Sequence, residues 1–451
     1  MRTALLAVIA GAFGLGAALA DEWPCYAHDP AHTSFSNEPI SPDLVIAWDK
    51  EIGRSTAQPV VAGGRVYIGT WGGRLFCLNA DTGDELWHFD AKGKIGFAAA
   101  VNSNIVVFGS DDKTVYALDA QSGKLVWRKE TGDKIWSAPA IVDGVVFIGS
   151  NDFNLYALDL KTGEEKWKAD CGSQVWSSPA VAGGIVYAAA REGMLFAFDK
   201  ATGKQLWSHK TQGKIAYSSP SVADGVVCIG TLLGRVWDDG TGYEWFIHEN
   251  LAKALVEQGK GITFYALDAK TGEELWSWPR EAKPPQEMEW GGNRSWFRKL
   301  YSIAQFQGLA PSIADGVVYA HCTIYNHEHN APVLAFDLKT GKLLWDEEFT
   351  RAWTGGHLIK NNVALTQDFI FGTSFIGRRD GTILELSRRH PWPWGECPDA
   401  GKLTGGAKGF HVYSPVVAEG KVFANGIIRA IPAMSHGGDN LRAFKPREAK
   451  R

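Results

Sequence analysis

The chain has 451 residues, 45% of them hydrophobic and 21% charged, which supports a large core and excludes a disordered chain. Its 46 Lys and Arg against 50 Asp and Glu give a formal charge of -4, which excludes a nucleic-acid binder that relies on a basic field. Length alone suggests about three ordinary domains. The 51 glycines and 19 tryptophans suggest instead many tight turns and a repeated packing device.

Residues 1–20 read as a secretory signal peptide. Arg2 is the charged start, Ala4 to Gly16 the apolar stretch, and Ala18-Leu19-Ala20 the cleavage site before Asp21. No other apolar run approaches the roughly 20 residues of a membrane span. No cysteine follows the cleavage site directly, so no lipid anchor is expected, and the chain reads as soluble and periplasmic or otherwise exported. Export permits disulfides. Cys77 and Cys228 lie in strand-like apolar runs and read as buried thiols, whereas Cys25 and Cys397 lie in irregular segments and are a candidate pair. There is no C-x-x-C and so no c-type haem site.

Residues 21–44 form an N-terminal extension, and a repeat begins after it. DTGDELW (81–87), QSGKLVW (121–127), KTGEEKW (161–167) and ATGKQLW (201–207) place a tryptophan at 87, 127, 167 and 207. KTGEELW (270–276) and KTGKLLW (339–345) follow after insertions. Within a unit, Pro139 to Val142 is a strand, Asp143-Gly144 a turn, Val145 to Gly149 a second strand and Leu155 to Asp159 a third. Lys161-Thr162-Gly163 then turns into a fourth strand carrying Trp167. Four antiparallel strands in about 40 residues make a propeller blade. Four regular blades fill 57–207, blade five 218–276 and blade six 307–345. Blade seven has strands at 363–366, 369–372 and 382–386 but lacks the T-G…W element. Blade eight lacks a fourth strand, and Val45-Ile46-Ala47-Trp48 is an orphan fourth strand that would close the ring. The expected fold is therefore all-β: one eight-bladed propeller over 45–446, with short helical insertions on one face.

The run SAPAIVDGVVFIGSNDFNLYALDLKTGEEKW resembles the PQQ-type propeller repeat of quinoprotein alcohol dehydrogenases and of BamB-like outer-membrane assembly lipoproteins. The resemblance implies that Trp87, Trp127, Trp167, Trp207, Trp276 and Trp345 are structural, docking between blades. It does not assign an activity.

Strand order puts the long links on one face: 231–263, 279–306, 325–332, 388–410 and 427–439. Long loops on a rigid scaffold carry function. Residues 243–258 have the pattern of a short amphipathic helix. Trp290, Arg294, Trp296 and Arg298 mix aromatics with arginine, which suits a partner-binding surface or else holds the insertion to the blades. Trp136, Trp176 and Tyr217 precede the first-strand prolines and form an aromatic arc at the channel mouth. That arc either stacks a planar cofactor or packs the blade seams. The resemblance makes PQQ the cofactor to consider, but the dehydrogenases have two adjacent cysteines and this chain has no such pair. His327 and His329 flank Glu328 and either share a metal ion or form an exposed polar loop. G-x-S-x-G, H-E-x-x-H and P-loop motifs are absent. The leading expectation is a non-enzymatic scaffold that binds a protein or peptide through its elaborated face. Its rivals are a PQQ- or metal-dependent oxidoreductase and a binder of sugars or cell-wall fragments.

Overall fold

The computed structural model describes residues 21–447 apart from 103, 216–217, 233–260, 279–309, 322–332, 348–362, 372–374, 387–410 and 428–437. The described strands form eight four-stranded antiparallel sheets, one per blade. Blade 3 shows the pattern: Ala140–Val142, Val145–Gly149, Asn154–Asp159 and Glu165–Asp170 pair in chain order. At its first turn Asp143 and Gly144 both adopt positive φ, +50° and +74°, the backbone of a two-residue hairpin. The first strands of successive blades are neighbours around the ring, from Val60–Ala62 of blade 1 to His411–Ala418 of blade 8.

The repeat tryptophans hold adjacent blades together. Each donates its indole N–H to a backbone carbonyl of the next blade: Trp48 to Ala80, Trp87 to Ala120, Trp127 to Leu160, Trp167 to Lys200, Trp207 to Ala269, Trp276 to Leu338 and Trp345 to Arg379. The distances run from 2.7 Å at Trp127 to 3.1 Å at Trp207. The glycine of the next T-G turn lies under the ring. A Cβ on Gly163 would stand 2.6 Å from a ring carbon of Trp127, and Gly163 also has φ +73°. The T-G…W spacing is thus a two-part joint in which one blade supplies the ring and the next supplies the gap.

The ring closes through the orphan strand. Leu44–Ser55 pairs with Gly438–Pro446 to complete blade 8. Asp49 stands opposite Arg442 and accepts its Nε–H at 3.1 Å, while Asn440 bonds the other carboxylate oxygen at 2.6 Å. The last seam also carries a polar contact. Where Gly69, Gly109 and Gly149 receive Ile95, Ile135 and Val175 of the next link, blade 8 has Asn425, whose amide donates to the Ser55 carbonyl at 3.2 Å. Blade 7 corrects the sequence reading. Its third strand is Phe375–Arg378, and Ile383–Leu386 is its fourth. Asp380-Gly381 replaces the T-G turn, and Glu385 takes the tryptophan's register opposite Ile376. The element is present with its ring residue exchanged.

The extension is not a free arm. Residues 21–38 run across the ring at the end where the short turns lie, bonding from blade to blade. Trp23 exchanges two backbone hydrogen bonds with Val61 of blade 1, and Pro24 accepts from Val101 of blade 2. Pro30 accepts from Val181 of blade 4, Ala31 from Val222 of blade 5 and Thr33 from Ile313 of blade 6. Ser34 and Ser36 pair with Leu365 of blade 7, and Asp21 accepts from Glu419 of blade 8. Glu38 accepts from Gly420 at 2.9 Å. Trp23, Ala27, His32 and Ser34 are buried. Among the described residues Cys25 is a free thiol, buried in the core between blades 2 and 3; Cys397, its candidate partner, lies outside the described residues. Burial raises the Cys25 thiol pKa well above its ordinary value, with Asp29 adding to the effect.

A charge triad ties this segment down. His28 lies 3.4 Å from Asp21 and 3.6 Å from Asp29. Burial would lower the His28 pKa, but the two carboxylates outweigh it and raise it to about 9. Burial would raise Asp21, but His28, Ser36 and Asn37 hold it down to about 2. The raised His28 therefore stabilises the fold fully below its unfolded pKa near 6.5, and that contribution is lost as pH rises through about 9. The depressed Asp21 stabilises above its unfolded value near 3.8 and loses that contribution as pH falls through about 2. His28→Gln should flatten the alkaline fall in melting temperature between pH 7 and pH 9. An unchanged alkaline limb would remove His28 from the account.

Candidate functional site

With the short-turn end crossed by residues 21–38, the site is sought at the other mouth. The links entering each blade and the turns between its second and third strands lie there. These two sets are laced together. The amides of Trp71, Asp111, Asn151, Arg191 and Leu232 donate to the carbonyls of Arg54, Lys94, Lys134, Gln174 and Lys214 at 2.7–2.9 Å. The same register position thus carries Arg54, Lys94, Lys134, Gln174 and Lys214 in five successive links. Four of the five are cations.

These cations are interleaved with tryptophans. The Arg54 guanidinium carbon and the Lys94 ammonium each stand 3.5 Å from the Trp71 ring centroid. Two cationic heads that close to one ring cannot share a face, so they flank it. Trp71 Nε1 donates to Thr56 Oγ1 at 3.1 Å, which fixes the ring. Lys134 lies 5.6 Å over Trp136, and Arg191 5.1 Å over Trp176. Such contacts contribute about 0.5–2 kcal/mol each, depending on exposure. Burial lowers the Lys94 pKa to about 8; Asp111 opposes the shift, and Arg54 and Lys134 add to it. Lys214 pairs with Glu192 at 2.9 Å, and buried Arg191 approaches the same carboxylate at 4.0 Å.

The expected aromatic arc is partly present. Trp136 and Trp176 meet with centroids 5.0 Å apart at 56°. Trp176 is 1% exposed, so it packs the seam between blades. Trp136 is half-buried and donates its indole N–H to Asp111 at 2.8 Å. Trp136→Phe should cost about 0.5–1.5 kcal/mol by removing that bond, read as a small fall in melting temperature. A neutral effect would show that the bond to Asp111 does not hold the mouth. Tyr217, Trp290, Arg294, Trp296, Arg298, His327 and His329 lie outside the described residues, as does the helix expected over 243–258. Among the described residues, no three His, Cys, Asp or Glu side chains gather as metal ligands.

The cationic series was missed by the sequence reading, although its signal is plain. Gly-Arg-Ser (53–55), Gly-Lys-Ile (93–95), Asp-Lys-Ile (133–135), Ser-Gln-Val (173–175) and Gly-Lys-Ile (213–215) recur just ahead of blades 1 to 5. The larger aromatics two residues further on drew the reading away from them.

The family model described as outer membrane protein assembly factor BamB matches residues 45–137 and 111–390. The chain belongs to that family. A sequence search of curated proteins finds no match. Among solved structures, BamB from Moraxella catarrhalis aligns with a TM-score of 0.55 at 13% identity, over 89% of this chain and 99% of that one. Quinohemoprotein alcohol dehydrogenase from Comamonas testosteroni aligns at 0.64 and 16% identity, over 96% of this chain and 82% of that one. A europium-containing methanol dehydrogenase aligns at 0.63 and 12% identity, over 94% and 98%. At these identities the likeness is one of fold, shared by a scaffold and by enzymes.

The mouth tests the PQQ rival directly. A stacked quinone needs an open indole face. Trp71 is flanked by Arg54 and Lys94, and Trp176 is buried. Trp136 is tilted against Trp176 and approached by Lys134. The described residues of this mouth therefore do not fit a quinone stacked on tryptophan.

Proposed function

We propose that this member of the BamB family is an exported scaffold that binds a protein or peptide partner through the mouth bearing the insertions. The observation that carries the reading is the asymmetry of the two ends. Residues 21–38 cross the ring at the short-turn end, whereas the described strands that the long links join end at the other mouth. Membership in a family named for outer-membrane assembly supports a protein partner over a small substrate. The lack of an open indole face among the described residues of the mouth weighs against the oxidoreductase alternative. No helix among the described residues is long and apolar enough to cross a membrane, which is compatible with an exported chain that has no span.

The test is a double variant in the 279–306 insertion. Trp296→Ala with Arg298→Ala should abolish capture of the partner while the melting temperature stays that of the parent. Surface insertions contribute little to blade packing, whereas aromatic and arginine anchors dominate binding. Retained capture with both residues gone would overturn this reading. So would a purified protein whose spectrum and activity change on addition of PQQ with calcium.

A further inference from the structure

The strip of cations at the insertion-bearing mouth is absorbed neither by the fold nor by the repeat. The ring would close as well with glutamine, which blade 4 has at Gln174. The strip is nevertheless built. Its positions recur in five links, each pinned by a backbone hydrogen bond, and three of its four cationic heads, those of Arg54, Lys94 and Lys134, are held near indole rings.

Charge is left over there. Lys94 and Lys134 have no carboxylate within ion-pair distance among the described residues, and Lys134 is exposed. Asp111, which faces Lys94, spends a carboxylate oxygen on the indole of Trp136. Glu192 answers both Lys214 and Arg191. The cations also crowd one another, since Arg54 and Lys134 both act to lower the Lys94 pKa. An arriving anion would relieve that repulsion at several points along the strip.

We propose that Arg54, Lys94, Lys134 and Lys214 form a docking strip for a carboxylate-rich segment of the partner protein. This rests on the scaffold reading above and names the chemistry of what is bound. The occupant is a peptide rather than a planar cofactor because the indole faces are taken by the cations and by each other. It is a peptide rather than a nucleic acid because the whole chain carries a net charge of -4, which opposes binding a long polyanion. Fixed cations in register suit carboxylates spaced along an extended chain, and they supply steering and specificity as well as affinity.

The test uses the mature full chain and a fluorescein-labelled oligo-glutamate of about ten residues, followed by anisotropy at low salt, where surface charge is least screened. The parent should bind, and binding should weaken as salt rises. Lys94→Gln with Lys134→Gln should weaken it about tenfold or more. Lys161→Gln, at an exposed turn of the opposite end, should leave it unchanged. If the double variant melts early, Lys134→Glu alone, at an exposed position, should still lower affinity measurably. Equal binding by parent and variants would overturn the proposal. A benzene tricarboxylate or an oligothymidylate that binds more tightly than the peptide would overturn it in favour of a small anion or a nucleic acid. Loss of peptide binding with partner capture intact would sink this inference alone. Retained capture in the Trp296/Arg298 variant would overturn the scaffold reading without touching the peptide titration, so the two failures are distinguishable.

Discussion

Deleting residues 21–38 while keeping the closing strand Leu44–Ser55 should lower the melting temperature more than any single surface change. The deletion takes Trp23, Ala27, His32 and Ser34 out of the core and strips backbone partners from Val61, Val101, Val181, Val222, Ile313 and Leu365. It also leaves Gln58, which accepts the Ala27 amide at 2.8 Å, facing an open channel. Trp23→Ala is the graded form of the same experiment. A fully buried tryptophan cut to alanine typically costs about 3–5 kcal/mol. Both should be read by thermal melts beside the parent, with circular dichroism to verify that the blades persist. A deletion that melts with the parent would show that the segment only rests on the ring.

Gly163→Ala and Gly144→Ala should differ although the two glycines share nearly the same backbone, φ +73° and +74°. Both changes incur the left-handed penalty of about 1–2 kcal/mol. At Gly144 nothing lies within 4 Å of the added carbon, and the cost should stop there. At Gly163 that carbon would press on Trp127 at 2.6 Å, so the ring must tilt and its bond to Leu160 must lengthen. Overpacking of this kind adds about 1–3 kcal/mol. Denaturant melts of the two variants measure the difference. Equal losses would mean that the tryptophan does not lean on the turn, and the blade-to-blade joint would need another explanation.

The blades were legible because their chemistry is local and repeated. D-G and T-G turns impose positive φ, alternating apolar runs impose strands, and one tryptophan per unit marks each seam. Closure by Trp48 was legible for the same reason, since it lies one repeat before Trp87. The third strand of blade 7, Phe375–Arg378, was not, because Glu385 stands where the marker tryptophan should be. The crossing by residues 21–38 was not legible either. It is made largely by main-chain amides and carbonyls meeting the first strands of blades 1, 2, 4, 5, 6 and 7, and such bonds place almost no demand on side-chain identity. The burial of Cys25 was not legible for a related reason: its segment reads as irregular, yet it is folded into the ring. At the mouth, Trp136 and Trp176 were found by their place before the prolines, whereas the cations two residues earlier needed the repeat to be read column by column.

The account turns on which end of the ring meets a partner. A photo-crosslinking residue placed at Lys134, on the insertion-bearing mouth, and in a second protein at Lys161, on a turn of the opposite end, asks this directly in cells. Both positions are exposed, so neither substitution should disturb the blades. The account predicts a discrete protein adduct from position 134, lost with Trp296→Ala and Arg298→Ala, and no adduct from position 161. An adduct from position 161 with none from position 134 would contradict it.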